Sequence, residues 1–196
     1  LTAKGDLDAI TATSRFAGKV DTVGEIKGSA EAAYQDQHIQ LTRLLLTRQE
    51  GQARIEATGE IDLATPLRYR MQAQWQALTW PLQNPSIVSE SGRIDAGGED
   101  KSYRFNGDFL LSGAQIPPGK WQVQGSGDEK AVEVSAFEGK TLDGTISGKA
   151  SLDLVPQLRW QGQLQGKALN PGGMWPQWPG KIAFETEVHG LLDKKG

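Results

Sequence analysis

The 196-residue chain has no cysteine and only two histidines. Without cysteine there are no disulfides, no thiolate zinc sites and no cysteine nucleophile. His38 and His189 stand 151 positions apart, which excludes a multi-histidine metal site. A dominant charge sign is also missing. The 21 Lys and Arg face 24 Asp and Glu, and the net −3 leaves no footprint for nucleic acid. Apolar stretches are no longer than Leu44-Leu45-Leu46, far from the ~18 residues of a membrane helix. The start, Leu1-Thr2-Ala3-Lys4, shows neither initiator Met nor signal peptide, so the chain reads as an internal piece of a larger protein. Apolar content is 37%, below the usual ~45–50%. Glycine is abundant, at 24 residues or about 12% against a usual ~7%. Such a chain is either disordered or a sheet with one wet face, and periodicity separates the two.

The clearest window runs from Leu67 to Leu78. Leu67, Tyr69, Met71, Ala73, Trp75 and Ala77 alternate with Arg68, Arg70, Gln72, Gln74 and Gln76. Side chains on a strand point alternately to opposite faces, so this is a half-buried β-strand. Before it, Ile55, Ala57, Gly59, Ile61 and Leu63 alternate with Arg54, Glu56, Thr58, Glu60 and Asp62, and Ala64-Thr65-Pro66 forms the turn. A second pair follows downstream, around Ile146–Leu154 and Leu158–Ala168, joined by Val155-Pro156-Gln157. Further strands are expected over 4–13, 17–33, 37–47, 90–97, 102–112, 119–125, 130–137 and 180–190. Turn signals such as Gln83-Asn84-Pro85, Pro117-Pro118-Gly119 and Asn170-Pro171-Gly172-Gly173 separate most of them. No window has a helical period with caps, so almost no helix is expected.

The two strand pairs align without gaps at an offset of 91. Residues 55–78 laid on 146–169 share nine identities, among them Ile55/Ile146, Asp62/Asp153, Leu67/Leu158, Gln72/Gln163 and Ala77/Ala168. Trp80-Pro81 and Trp175-Pro176 follow the two copies. The expectation is a single elongated β-domain over 1–196 with internal repeat units at roughly 37–98 and 130–190. Each sheet must hide its apolar face, in a sandwich or in a U-shaped fold. Glycines on that face, such as Gly59, Gly148, Gly162 and Gly166, mark either bends or notches beneath a neighbouring aromatic such as Trp75 or Trp160.

Several segments in order resemble a known family. Ala114-Gln115-Ile116-Pro117-Pro118 precedes Trp121-Gln122-Val123, and Val132-Glu133-Val134 leads to Phe137-Glu138-Gly139-Lys140-Thr141. Leu158-Arg159-Trp160-Gln161-Gly162-Gln163-Leu164 follows, then Trp175-Pro176-Gln177-Trp178-Pro179-Gly180-Lys181-Ile182 and a last strand ending Val188-His189-Gly190. This cadence resembles the TamB family, inner-membrane subunits of the translocation and assembly module within the AsmA-like group. The resemblance is strongest over about 90–190. It implies an all-β, mainly antiparallel sheet folded like a taco around an apolar groove. It also implies a periplasmic bridge between the inner and outer membranes of a Gram-negative bacterium, anchored in the inner membrane. The implied roles are carriage or shielding of phospholipid and support of outer-membrane protein assembly. The implied partner of the full-length protein is the outer-membrane protein TamA, not necessarily through this segment. No cofactor and no enzymatic activity are implied.

An apolar groove needs a continuous lining, because each buried CH₂ contributes about 0.8 kcal/mol without any polar contact. The candidates are Ile55, Ile61, Leu63, Leu67, Tyr69, Met71, Trp75, Phe105, Phe109, Trp121, Val123, Val132, Val134, Ile146, Leu152, Leu154, Leu158, Trp160, Leu164, Ile182, Phe184 and Val188. The plainer alternative is a β-scaffold or chaperone-like module with a filled core. Glycosidase chemistry needs two facing carboxylates, one with a raised pKa; Asp6 and Asp8 have polar neighbours, and Glu99/Asp100 and Asp128/Glu129 sit at turns, so all three pairs read as solvated. Trp175 and Trp178 among prolines suggest a sugar-stacking platform or the rim of the trough. An outer-membrane barrel wants aromatic girdles that are absent here.

Overall fold

The computed structural model describes residues 2–5, 9–20, 24–48, 52–81 and 84–192. The chain is all-β and divides into two units, Leu1–Asp100 and Lys101–Gly196. The first holds β1 (Thr2–Gly5), β2 (Ala9–Val20), β3 (Gly24–Gln35), β4 (His38–Arg48), β5 (Arg54–Asp62), β6 (Arg68–Trp80) and β7 (Ile87–Glu99). The second holds β8 (Ser102–Gly113), β9 (Gly119–Gly127), β10 (Ala131–Thr141), β11 (Gly144–Asp153), β12 (Leu158–Leu169) and β13 (Ile182–Leu192), with a short 3-10 turn at Pro171–Gly173. Within each unit consecutive strands pair antiparallel, a meander in chain order. At 13 residues, β6 is among the longest, about 43 Å at ~3.3 Å per residue.

Two expected strands are redrawn. The stretch 17–33 is not one strand, since β2 ends at Val20 and β3 begins at Gly24, which sits at φ 85° and pairs back onto Val20. The stretch 4–13 divides between β1 and β2. Asp6 and Asp8 lie outside the described residues, as does Gln83 of one expected turn.

Structural devices recur at or near the 91-residue offset. In β4, Thr42 and Arg43 bulge between the pairs Leu41↔Gly59 and Leu44↔Ala57. In β10, Ser135 and Ala136 bulge between Val134↔Ala150 and Phe137↔Gly148. Each bulge places two residues opposite one and resets the side-chain alternation. Ala77 and Ala168, 91 positions apart, both take positive φ (52° and 54°) within their strands. The turns that follow β5 and β11 each contain a cis X-Pro bond, at Thr65-Pro66 and Val155-Pro156.

Packing is shallow. Among the described residues the only buried hydrophobics are Ala57 and Leu169, and no large side chain is fully buried. The accessible surface is 13558 Å². Two separate compact domains, each of half the chain's mass, would expose only about 11,000 Å². Large apolar side chains stay exposed, among them Ile10, Phe16, Trp80, Trp160 and Phe184.

Candidate functional site

Residues directly opposite across antiparallel strands project to the same face. In the first unit the register assembles four uncharged rows. They are Phe16–Gly28–Leu46–Ile55–Trp75–Gly92, Ser14–Ala30–Leu44–Ala57–Ala73–Ile94, Ala12–Ala32–Leu41–Gly59–Met71–Ala96 and Ile10–Tyr34–Ile39–Ile61–Tyr69–Gly98. Leu63 and Leu67 flank the turn beyond the last row. In the second unit the rows are Tyr103–Gly127–Val132–Leu152–Trp160–Gly190, Phe105–Gly125–Val134–Ala150–Gly162–Val188, Gly107–Val123–Phe137–Gly148–Leu164–Thr186 and Phe109–Trp121–Gly139–Ile146–Gly166–Phe184. Leu154 and Leu158 flank the β11–β12 turn, and Ile182 pairs with Leu169.

Each unit thus gathers its own sequence-predicted lining residues onto or beside one apolar face. They are half-buried, apart from Leu63, Trp160, Ile182 and Phe184, which are exposed. Sequence reasoning missed Ile10, Phe16, Tyr34, Ile39, Leu41, Leu44, Leu46, Ile94, Tyr103 and Phe137. The signal was present in β4, where Ile39-x-Leu41 and Leu44-x-Leu46 each alternate. The bulge between them shifts the phase by one residue and hides the continuity.

Seven of the glycines on this face are notches for rings. A methyl group added at Gly28 would overlap the ring of Phe16, and one at Gly139 the indole of Trp121. The same holds for Gly125 under Phe105, Gly127 under Tyr103, Gly148 under Phe137, Gly166 under Phe184 and Gly190 under Trp160, while Gly59 accommodates the Met71 thioether. Large side chains therefore lie down across the neighbouring strand's glycine. Trp160 uses Gly190 of β13, not the glycine of its own strand at Gly162. The indole N–H of Trp75 donates to Ser89 Oγ at 2.8 Å.

The opposite face is a lattice of polar side chains. Glu56 accepts from Arg54, from Gln74 Nε2 at 3.0 Å and from Arg43 Nη2 at 3.4 Å. These contacts, the Arg54 hydrogen bond first, hold its carboxyl below the ordinary value. Arg68 pairs with Glu99 at 3.2 Å and Lys101 with Glu129 at 2.9 Å. Such exposed pairs contribute little to stability. The acidic pairs within the described residues have structural partners. Asp100 Oδ1 accepts from the Leu67 N–H at 3.1 Å, and Asp128 Oδ1 accepts from the N–H groups of Lys130 and Ala131 at 2.7 and 2.9 Å. His38 and His189 are both exposed. Trp178 is 63% exposed, and Trp175 is half-buried.

Charge is unevenly distributed along the strands of the first unit. On the Trp80 side of the central row, Ser14 to Ile94, β2–β7 carry Arg15, Lys19, Lys27, Arg48, Arg54 and Arg93 against Glu25, Glu56 and Glu90. On the other side they carry Arg43, Arg68 and Arg70 against Glu31, Glu60, Asp62, Asp95 and Glu99.

In each unit an antiparallel meander with one charged face and one uncovered, ring-paved apolar face defines a class of β-proteins that present apolar surface. A family model described as TamB, N-terminal domain, matches residues 48–196, and the chain belongs to the TamB family. The family comprises non-enzymatic components of outer-membrane assembly. They span the periplasm from an inner-membrane anchor and associate with TamA. No helix among the described residues is long and apolar enough to cross a membrane. No solved structure matches the chain.

Proposed function

We propose that the apolar face is a groove lining that carries or shields the acyl chains of phospholipid between the inner and outer membranes, and in this way supports outer-membrane protein assembly. The observation that carries this reading is the apolar face without a filled core: 13558 Å² of exposed surface and no fully buried large side chain among the described residues. Acyl chains covering that face gain about 25 cal/mol per Å² without any specific polar contact. The wet face needs only to stay hydrated, and its Arg, Gln and Glu side chains do that. The matching bulges, the positive-φ alanines and the 91-residue offset support two copies of one β-repeat, each adding the same length of lining.

The test is photo-crosslinking with a reactive side chain at Met71 and, separately, at Gln72 of the adjacent wet face. Lipid adducts at Met71 and not at Gln72 are expected. Equal adducts at both positions, or none at Met71, would sink the reading.

A further inference from the structure

We infer that in the first unit a bound phospholipid lies with its acyl chains parallel to the strands and its phosphate headgroup at the Trp80 end. The inference rests on the lipid-carrying reading above and adds an orientation to it. Four uncharged rows, six residue steps from first to last along each strand except β4, where the bulge makes seven, span about 20 Å at ~3.3 Å per residue. One leaflet of a bilayer has about 15 Å of hydrocarbon, half of the ~30 Å core. The uncharged band is therefore long enough for one layer of acyl chains laid along the strands, and the polar headgroup must emerge at one end.

The two ends differ in charge. Counted over both faces, the Trp80 side of β2–β7 has three more bases than acids and the opposite side two more acids than bases, and every one of those bases except Arg48 alternates onto the wet face. Arg48 pairs with Ile26 in the row next to Phe16–Gly92, in step with the apolar side chains of β4, so a guanidinium borders the band there. At the other end, Asp100 is held on the Leu67 N–H. A phosphate is attracted by the first arrangement and repelled by the second. Aromatic exposure follows the same direction: Trp80 is 64% exposed and Phe16 46% exposed, both on the basic side. Indoles favour the level where acyl chains meet headgroups, since one part of the ring is apolar and its N–H is polar.

The experiment uses the full chain and two forms of phosphatidylglycerol, one with a diazirine on the headgroup and one with it at the end of an acyl chain. Labelling is mapped to peptides around Trp80 and around Leu63, both exposed. The headgroup probe is expected to label the Trp80 peptide above the Leu63 peptide, and the acyl-terminal probe to invert that ratio. Replacing Arg48 by Gln should lower headgroup labelling at Trp80 for phosphatidylglycerol more than for phosphatidylethanolamine. Equal ratios for the two probes, or a reversed order, overturn the orientation while labelling at Met71 keeps the groove. Absence of label at Met71 from either probe overturns both. Headgroup labelling at Trp80 that requires intact vesicles, with no acyl label along the band, identifies a bilayer contact and overturns the proposal.

Discussion

Gly139→Ala is a direct test of how the apolar face is built. Gly139 sits on β10 beneath the indole of Trp121, and an added methyl would overlap that ring, coming within 2.7 Å of Cη2. The contacts nearest the methyl are side-chain atoms of Trp121, so the backbone need not move and the ring must lift. A buried Trp covers roughly 150–250 Å². Uncovering about 100 Å² at ~25 cal/mol per Å² costs about 2.5 kcal/mol. Alanine in place of a strand glycine returns about 0.5–1 kcal/mol. The expected net loss is ~1.5–2 kcal/mol, or ~3–8 °C in Tm for a chain of this size. Urea and thermal unfolding followed by tryptophan emission read it, with a red shift from Trp121 in the folded state. Gly162→Ala is the control. There the methyl would meet Lys149 O at 3.2 Å, Val188 Cγ2 at 3.5 Å and Ala150 Cβ at 3.6 Å, with no ring above. That variant should be neutral or stabilised by up to about 1 kcal/mol. In a Trp121→Leu background the cost of Gly139→Ala should largely vanish. Equal losses at Gly139 and Gly162, or a full cost in the Trp121→Leu background, would refute the ring-over-glycine account.

Met71→Arg and Leu164→Arg place a charge in the middle of the apolar rows and should abolish the protein's support of outer-membrane integrity, scored by detergent sensitivity of cells. Gln76→Glu, opposite Arg54 on the wet face, should leave it intact, and matching phenotypes would count against a functional difference between the faces. The Asp128 carboxyl is held below its ordinary value by the Lys130 N–H and then the Ala131 N–H. Its stabilising effect is therefore present above the unfolded carboxylate pKa and lost as pH falls through the lower folded value. Asp128→Asn should flatten the acid limb of the pH–Tm curve, and an unchanged limb would show that the turn does not depend on the charge. Ala77→Gly and Ala168→Gly relieve positive φ at equivalent positions. Each should be neutral to stabilising by up to about 1 kcal/mol, measured by urea unfolding, and opposite signs at the two sites would break the structural equivalence of the repeats.

Much of the architecture is legible in the residue order because alternation is a local signal. Arg68 to Gln76 needs no partner to declare which side is wet. The 91-residue offset is likewise a property of the string; the positive-φ alanines keep it, and the bulges recur close to it, 93 residues apart. Other features depend on neighbours that the string does not name. Leu41 and Leu44 belong to one face only because Thr42 and Arg43 bulge, so their alternation looks broken until β5 is laid beside them. Gly139 reads as a flexible residue until β9 brings Trp121 over it. The stretch 17–33 reads as continuous because nothing in its sequence punctuates it strongly, and the pairing of Val20 with Gly24 divides it. The direction of charge along the strands was hidden as well, since bases and acids that alternate in the string sort to opposite ends once the meander folds.

Rings laid flat over glycines have one more consequence. In an ordinary core, side chains stand up as knobs and a guest must find a matching socket. Here the tall residues recline and the short ones sit beneath them, so relief across the strands is low. The pattern repeats at the ~4.8 Å spacing of neighbouring strands. An acyl chain crossing such a pavement exchanges one set of shallow contacts for another much like it. The barrier between adjacent positions is then small compared with the total attraction, which is the physical requirement for a surface that holds its cargo and still lets it slide.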